Sequence, residues 1–216
     1  MITPAIINSL QSVDTTEVSK IISYTLNTRI CHHKVKFLYK LLQSLHGSIS
    51  SYLEIGVHSG CSMSYVLSSS FPPQIAVGVD LFEDTLYHDI LNKNTIDTNL
   101  RKLNTSTSLT LIKGDSKEQQ TKQNILDISS SFDLIFIDGD HSYNGVKYDF
   151  FILYDLLSKN GVMVFDDFNR AQTNIGVFKF INELISDYNK YFTGYFEYSD
   201  NEHSGEFKNG IICFYK

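Results

Sequence analysis

The chain has 216 residues, which suits one α/β domain with a sizeable buried core. Its 42% hydrophobic and 19% charged content is that of a globular protein and excludes a disordered one. The net charge of −6 argues against a large nucleic-acid footprint, and no apolar run approaches the ~18 residues of a membrane span.

The first 48 residues read as a helical segment. Asp14 and Glu17 have the spacing of a capping box, followed by Val18, Ile21, Ile22 and Leu26 at helical intervals. A second amphipathic stretch carries Val35, Leu38, Leu41, Leu42 and Leu45, and Gly47 ends it. From residue 50 to 216 the pattern changes. Tyr52 to Val57 reads as a strand, Ser62 to Ser69 as a helix, and Ile75 to Val79 as a second strand ending at Asp80. Glu83 to Asn104 is polar and of ambiguous structure, and is expected to cover a site. Leu109 to Ile112 is a third strand, ending at Gly114 and Asp115, and Leu134 to Ile137 a fourth, ending at Asp138. Tyr143 to Leu157 reads as a helix, Gly161 to Phe165 as a fifth strand ending at Asp166 and Asp167, and Ile175 to Tyr188 as a further helix. Thr193 to Tyr198 and Gly210 to Tyr215, joined by a polar loop, suit an antiparallel hairpin.

Strands alternating with helices predict one domain built on a doubly wound, mostly parallel sheet. No signal peptide is expected, because no basic region precedes an apolar core at the N-terminus. Cys31, Cys61 and Cys213 are too few and too scattered for a disulfide framework or a zinc site. A reducing cytoplasm is therefore the expected compartment.

An acid follows a strand four times, at Asp80, Asp115, Asp138 and Asp166. In open α/β sheets ligands bind outside the carboxyl ends of the strands, so these acids are expected near a ligand. Residues 52 to 64 read Y-L-E-I-G-V-H-S-G-C-S-M-S. Gly56 and Gly60 permit a sharp turn and a close approach to a ligand. The helix beginning near Ser62 offers free amides to an anionic group, and Glu54 could receive an ammonium. A plain strand–turn–helix with packing glycines is the structural alternative. The dinucleotide fingerprint is not matched, because Glu54 stands where its first glycine belongs, which argues against a nicotinamide-dependent dehydrogenase.

The pattern E-x-G-x-x-x-G-x-S resembles the first motif of class I S-adenosylmethionine-dependent methyltransferases, which have a Rossmann-like fold. The resemblance implies that Glu54, Gly56, Gly60 and Ser62 bind that cofactor. Asp80, about twenty residues on, has the spacing of an acid that accepts the ribose hydroxyls. Asp115 resembles the adenine-contacting position, with Ser116 beside it. Each acid alone could equally cap a helix.

Residues 132 to 143, F-D-L-I-F-I-D-G-D-H-S-Y, and 161 to 168, G-V-M-V-F-D-D-F, resemble metal-dependent small-molecule O-methyltransferases of the catechol and caffeoyl-CoA kind. The D-G-D-H-S-Y segment followed by D-D is closer still to macrocin-type sugar O-methyltransferases. Clustered carboxylates repel unless a cation or protons intervene, so Asp138, Asp166 and Asp167 are candidate ligands for Mg²⁺ or Mn²⁺, the other reading being that Asp166 or Asp167 caps the following helix or loop. Asp138 is also a candidate catalytic group. His141 matches the catalytic-base position; metal ligation or a structural role are the other readings of it. Tyr143 and Asp149 read as packing and helix contacts. The expected reaction moves a methyl group to a hydroxyl of a small molecule. No nucleic acid or membrane partner is expected, and many relatives of this kind are dimers, so a homodimer is one expected assembly. A non-catalytic cofactor-binding relative, or a metal-independent enzyme acting on another acceptor, are the alternatives.

Overall fold

The computed structural model describes residues 2–26, 36–83, 92–168, 175–199 and 210–216. The N-terminal segment forms α1 (Pro4–Ser9), a 3-10 turn (Leu10–Ser12), α2 (Thr16–Leu26) and α3 (Lys36–Leu45). Alternating elements follow: β1 (Ser51–Ile55), α4 (Cys61–Leu67), β2 (Ile75–Asp80), α5 (Lys93–Leu103), β3 (Ser108–Lys113), α6 (Gln119–Leu126), β4 (Phe132–Ile137), α7 (Tyr143–Tyr154) and β5 (Leu157–Phe165). The chain closes with α8 (Ile175–Ser186), a 3-10 turn (Tyr188–Lys190), β6 (Gly194–Ser199) and β7 (Gly210–Tyr215).

The seven strands form one sheet in the order β3-β2-β1-β4-β5-β7-β6. The first five run parallel; β7 lies antiparallel to both β5 and β6. The expected doubly wound sheet with a C-terminal antiparallel hairpin is therefore the observed one. Strand order reverses between β1 and β4, which puts a topological switch point at the carboxyl ends of those two strands.

Helices cover both faces, which is why the parallel strands read as nearly unbroken apolar runs. Along β1, Tyr52 joins the core under the N-terminal helices and α4, while Leu53 and Ile55 join the core under α7 and α8. The same alternation divides Leu134 and Phe136 from Ile135 and Ile137 on β4. Glu54 shares the α4 face with Tyr52 and is fully buried there.

Three expectations change. Asp14 does cap a helix start, accepting from the Thr16 amide at 2.9 Å, but Glu17 pairs with Lys20 at 3.0 Å and closes no capping box. The ambiguous stretch up to Asn104 contains α5, which buries Ile96 and Leu100 at one-turn spacing and is capped by Asn92; residues 84–91 lie outside the described residues. The strand expected at Gly161 begins at Leu157, with a register irregularity between the Phe132–Leu157 and Leu134–Val162 pairs, and α7 stops earlier, at Tyr154. Val35 and most of the polar loop before β7 also lie outside the described residues. No helix among the described residues is long and apolar enough to cross a membrane.

Candidate active site

The switch point assembles the predicted residues from loops that the sheet brings side by side. The turn after β1 needs its glycines: Gly56 has φ 92° and Gly60 has φ 83°, conformations that side chains disfavour. The close approach at Gly56 is to protein. A Cβ there would lie 2.0 Å from the Asp138 carbonyl oxygen, so the turn after β1 is seated directly on the loop after β4. At Gly60 a Cβ would meet Ile96 at 3.1 Å and Leu100 at 3.3 Å. Gly56→Ala is expected to lower stability by about 1–3 kcal/mol from backbone strain alone, read from urea unfolding. An unchanged midpoint would show that the two loops are not in this contact.

Asp80 ties the turn down. Its Oδ2 accepts from the His58 amide at 2.7 Å and its Oδ1 from the Phe82 amide at 2.6 Å. Both donors have positive φ, 48° and 49°, so the carboxylate holds two unfavourable backbone conformations in place. Each oxygen keeps a second lone pair, which leaves Asp80 able to accept from a ligand hydroxyl.

Glu54 is bonded on both oxygens, by the Tyr52 hydroxyl at 2.9 Å and by the Ser62 hydroxyl. Burial pushes its pKa up to about 8; the two hydroxyls oppose that shift, and the nearby charges of Asp138 and Asp80 add to it. Tyr52 was not foreseen as a site residue. Its position two residues before Glu54, on the same strand face, was the available signal.

Asp115 accepts from the Lys117 amide at 2.9 Å, and Ser116 donates to Asp149 Oδ1 at 2.6 Å. Asp149 therefore does more than pack along α7. It is buried, its other oxygen has no hydrogen-bond partner among the described residues, and burial pushes its pKa up to about 6. Lys117 pairs with Asp140 at 2.9 Å, and its carbonyl accepts from the Tyr148 hydroxyl at 2.9 Å. These bonds join the loop after β3 to the loop after β4.

The second half of the site lies at the ends of β4 and β5. His141 Nε2 is 3.1 Å from Asp138 Oδ1, and its Nδ1 is 3.6 Å from Asp167 Oδ2. One ligand atom from each of Asp138, His141 and Asp167 falls within 4.8 Å of the others. The hydrogen bond to Asp138 raises the His141 pKa above the ordinary imidazole value; burial opposes this, and the charges of Asp138, Asp167 and Asp166 assist it. The expected acid trio is thus arranged differently: His141, not Asp166, completes the group. Asp166 Oδ1 instead accepts from the Asp167 amide at 2.7 Å, while Asp167, at φ 58°, leaves the strand in a left-handed turn. Two carboxylates and an imidazole at this spacing fit a divalent cation, with oxygen-rich donors favouring Mg²⁺ or Mn²⁺.

A family model for a methyltransferase domain matches residues 53–168, the stretch that carries the turn after β1 and both acidic loops. The chain belongs to that family. The methyltransferase domain so defined begins within β1 and runs to the residue after Asp167. A protein of Acanthamoeba polyphaga mimivirus, R132, is 27% identical over 169 residues, covering 78% of this chain and 74% of its own. An O-methyltransferase from Bacillus cereus, solved with S-adenosylhomocysteine, shares the fold with a TM-score of 0.55 at 19% identity, over 94% of this chain and 92% of that one. The MycE methyltransferase of the mycinamycin biosynthetic pathway, solved with Mg, S-adenosylhomocysteine and mycinamycin VI, matches with a TM-score of 0.59 at 16% identity, over 92% of this chain and 54% of that one. The methyltransferase family and the fold that the sequence's resemblance implies are thereby shown.

Proposed function

We propose that this methyltransferase moves the methyl group of S-adenosylmethionine to a hydroxyl oxygen of a small molecule, in a site that also takes a divalent cation. The observation that carries the oxygen acceptor is the convergence of Asp138, His141 and Asp167 beside the turn after β1. That grouping offers a proton acceptor and a cation site within reach of the same atom. The Bacillus cereus and MycE likenesses support it, as does the negative net charge, which suits a small acceptor better than a nucleic acid.

In this reading Glu54 receives the ammonium of the cofactor's methionine part, Asp80 the ribose hydroxyls, and Asp115 with Ser116 the adenine. A neutral His141 that donates from Nε2 to Asp138 keeps its lone pair on Nδ1. Nδ1 takes the acceptor's hydroxyl proton, and the imidazolium that forms is stabilised by Asp138 and Asp167 on its two sides. The acceptor oxygen then forms a bond to the methyl carbon as the carbon–sulfur bond breaks, and the sulfonium becomes a neutral sulfide. Holding the two reactants in line supplies most of the acceleration, up to ~7–11 kcal/mol in favourable cases. A divalent cation would be held by the carboxylates of Asp138 and Asp167, leaving Nδ1 of His141 for the proton, and would supply Lewis acidity that lowers the pKa of a hydroxyl.

Calorimetric titration with S-adenosylhomocysteine, followed by a panel of sugar, phenol and macrolide hydroxyl acceptors with and without Mg²⁺, tests the proposal. Binding with Mg²⁺-stimulated methyl transfer to oxygen is the expected result. Absence of S-adenosylhomocysteine binding, or methylation at nitrogen, overturns it.

A further inference from the structure

The second residue of α8 has no space for a side chain. A Cβ on Gly176 would lie 2.4 Å from the Tyr143 amide nitrogen, 2.5 Å from the His141 carbonyl oxygen and 2.7 Å from the Ser142 carbonyl carbon. All three are backbone atoms of the segment that carries His141 into α7, so no flexible side chain can yield. Nor can α8 draw back freely. The Tyr143 hydroxyl donates to Glu183 at 2.5 Å, the Lys179 ammonium lies 4.9 Å from the Tyr143 ring centre, and Phe180 meets that ring edge-on at 6.2 Å. Lys147 adds an ion pair to Glu183 at 3.8 Å.

We infer that the first turn of α8 is the seat of the His141 loop, and that Gly176 is a positioning residue for the imidazole. Helix propensity alone would favour alanine over glycine at this position. The glycine is explained by the backbone it rests on. A Cβ would push the His141 carbonyl and the Tyr143 amide away from α8. The ring would then leave its 3.1 Å contact with Asp138. The catalytic consequence rests on the function proposed above; the positional one does not.

The test uses ligand-free protein labelled with ¹³C-histidine, with the His141 ring signal identified by its loss in His141→Asn. Gly176→Ala is expected to shift the His141 ring signal and leave the other histidine signals in place. Ile175→Ala, one residue earlier and 70% exposed, is expected to shift none. Glu183→Ala, which loosens α8 at an exposed position, is expected to move the His141 signal in the same direction by less. With an accepted substrate, Gly176→Ala should lower kcat about 100-fold with little change in KM, the cost of a small misplacement of a reacting group. A folded Gly176→Ala protein with its His141 signal unmoved overturns the inference. Should that variant not fold, an unmoved signal in Glu183→Ala overturns it. Shifted signals in a protein that fails to bind S-adenosylhomocysteine would uphold the inference and reject the proposed function.

Discussion

Asp138→Ala is expected to lower methyl transfer by about 10²–10⁴-fold at saturating cofactor, the range associated with a lost proton-transfer group. Two losses coincide in this variant. Asp138 is the hydrogen-bond partner that sets the His141 ring, at 3.1 Å, and it is one vertex of the three-residue group that fits a divalent cation. Its carboxylate also acts on the cofactor half, because its charge helps to hold the Glu54 proton. Removing it eases ionisation of Glu54, so S-adenosylhomocysteine affinity should hold or improve. Turnover and calorimetric Kd measured on the same preparation separate the two halves of the site. A fall in both together would mean that Asp138 is a structural support for the turn after β1, with which its backbone is in contact at Gly56. Undiminished turnover in this variant, or in enzyme stripped with EDTA, would remove the cation from the mechanism.

The fold was largely legible because its strands are short apolar runs each closed by an acid or a glycine. Covering both faces of a parallel sheet demands that pattern. What escaped were elements whose apolar content is small. α6 buries only Thr121 and Ile125, and α5 only Ile96 and Leu100, too little to produce a visible stripe. The site divides in the same way. Asp80, Asp115 and Asp138 stand out because each lies at or just past the end of a strand, which has a fixed place in this topology, and Glu54 because it lies within β1 two residues before the first glycine of the turn. The partners of those acids come from elsewhere in the chain. Asp149 reaches Ser116 across 33 positions, and the Gly176 contact joins residues more than thirty apart. Only the folded chain brings such pairs together.

The pair Asp166-Asp167 shows how adjacency in sequence misleads. Asp166 is the first residue past β5; its amide donates to the Ile137 carbonyl at 3.2 Å, and its Oδ1 accepts from the Asp167 amide at 2.7 Å. Asp167 has left the strand, and its left-handed φ of 58° turns the side chain to within 3.6 Å of His141. Two identical neighbours thus have different surroundings. The strain of a buried, non-glycine residue in that conformation costs on the order of 1–3 kcal/mol. Its place beside the imidazole gives that cost a functional rationale.

Glu54→Gln is expected to weaken S-adenosylhomocysteine binding by about 10²–10³-fold while raising the stability of the ligand-free protein above neutral pH. The two effects have one cause. A fully buried carboxyl with hydroxyl partners and no cation is pushed up to about 8, from an ordinary value near 4.5. Between those values the folded protein holds a proton that the unfolded chain has released. Stability therefore falls as pH rises from about 4.5 through about 8, and the dependence ends once the folded carboxyl has ionised. Glutamine cannot ionise, so this contribution to the slope disappears and the variant gains relative to the native chain toward pH 8. The cofactor ammonium supplies the missing cation, and losing one partner of a buried charge pair costs about 3–5 kcal/mol. Binding at pH 7 should also release protons from Glu54, visible as a dependence of the calorimetric enthalpy on the buffer's ionisation enthalpy, and that dependence should shrink in the glutamine variant. Unfolding midpoints at pH 5, 7 and 8.5, with titrations in two buffers, measure both effects. A variant that binds as tightly as the native chain would show that Glu54 serves the turn through Tyr52 and Ser62 and does not meet the ammonium.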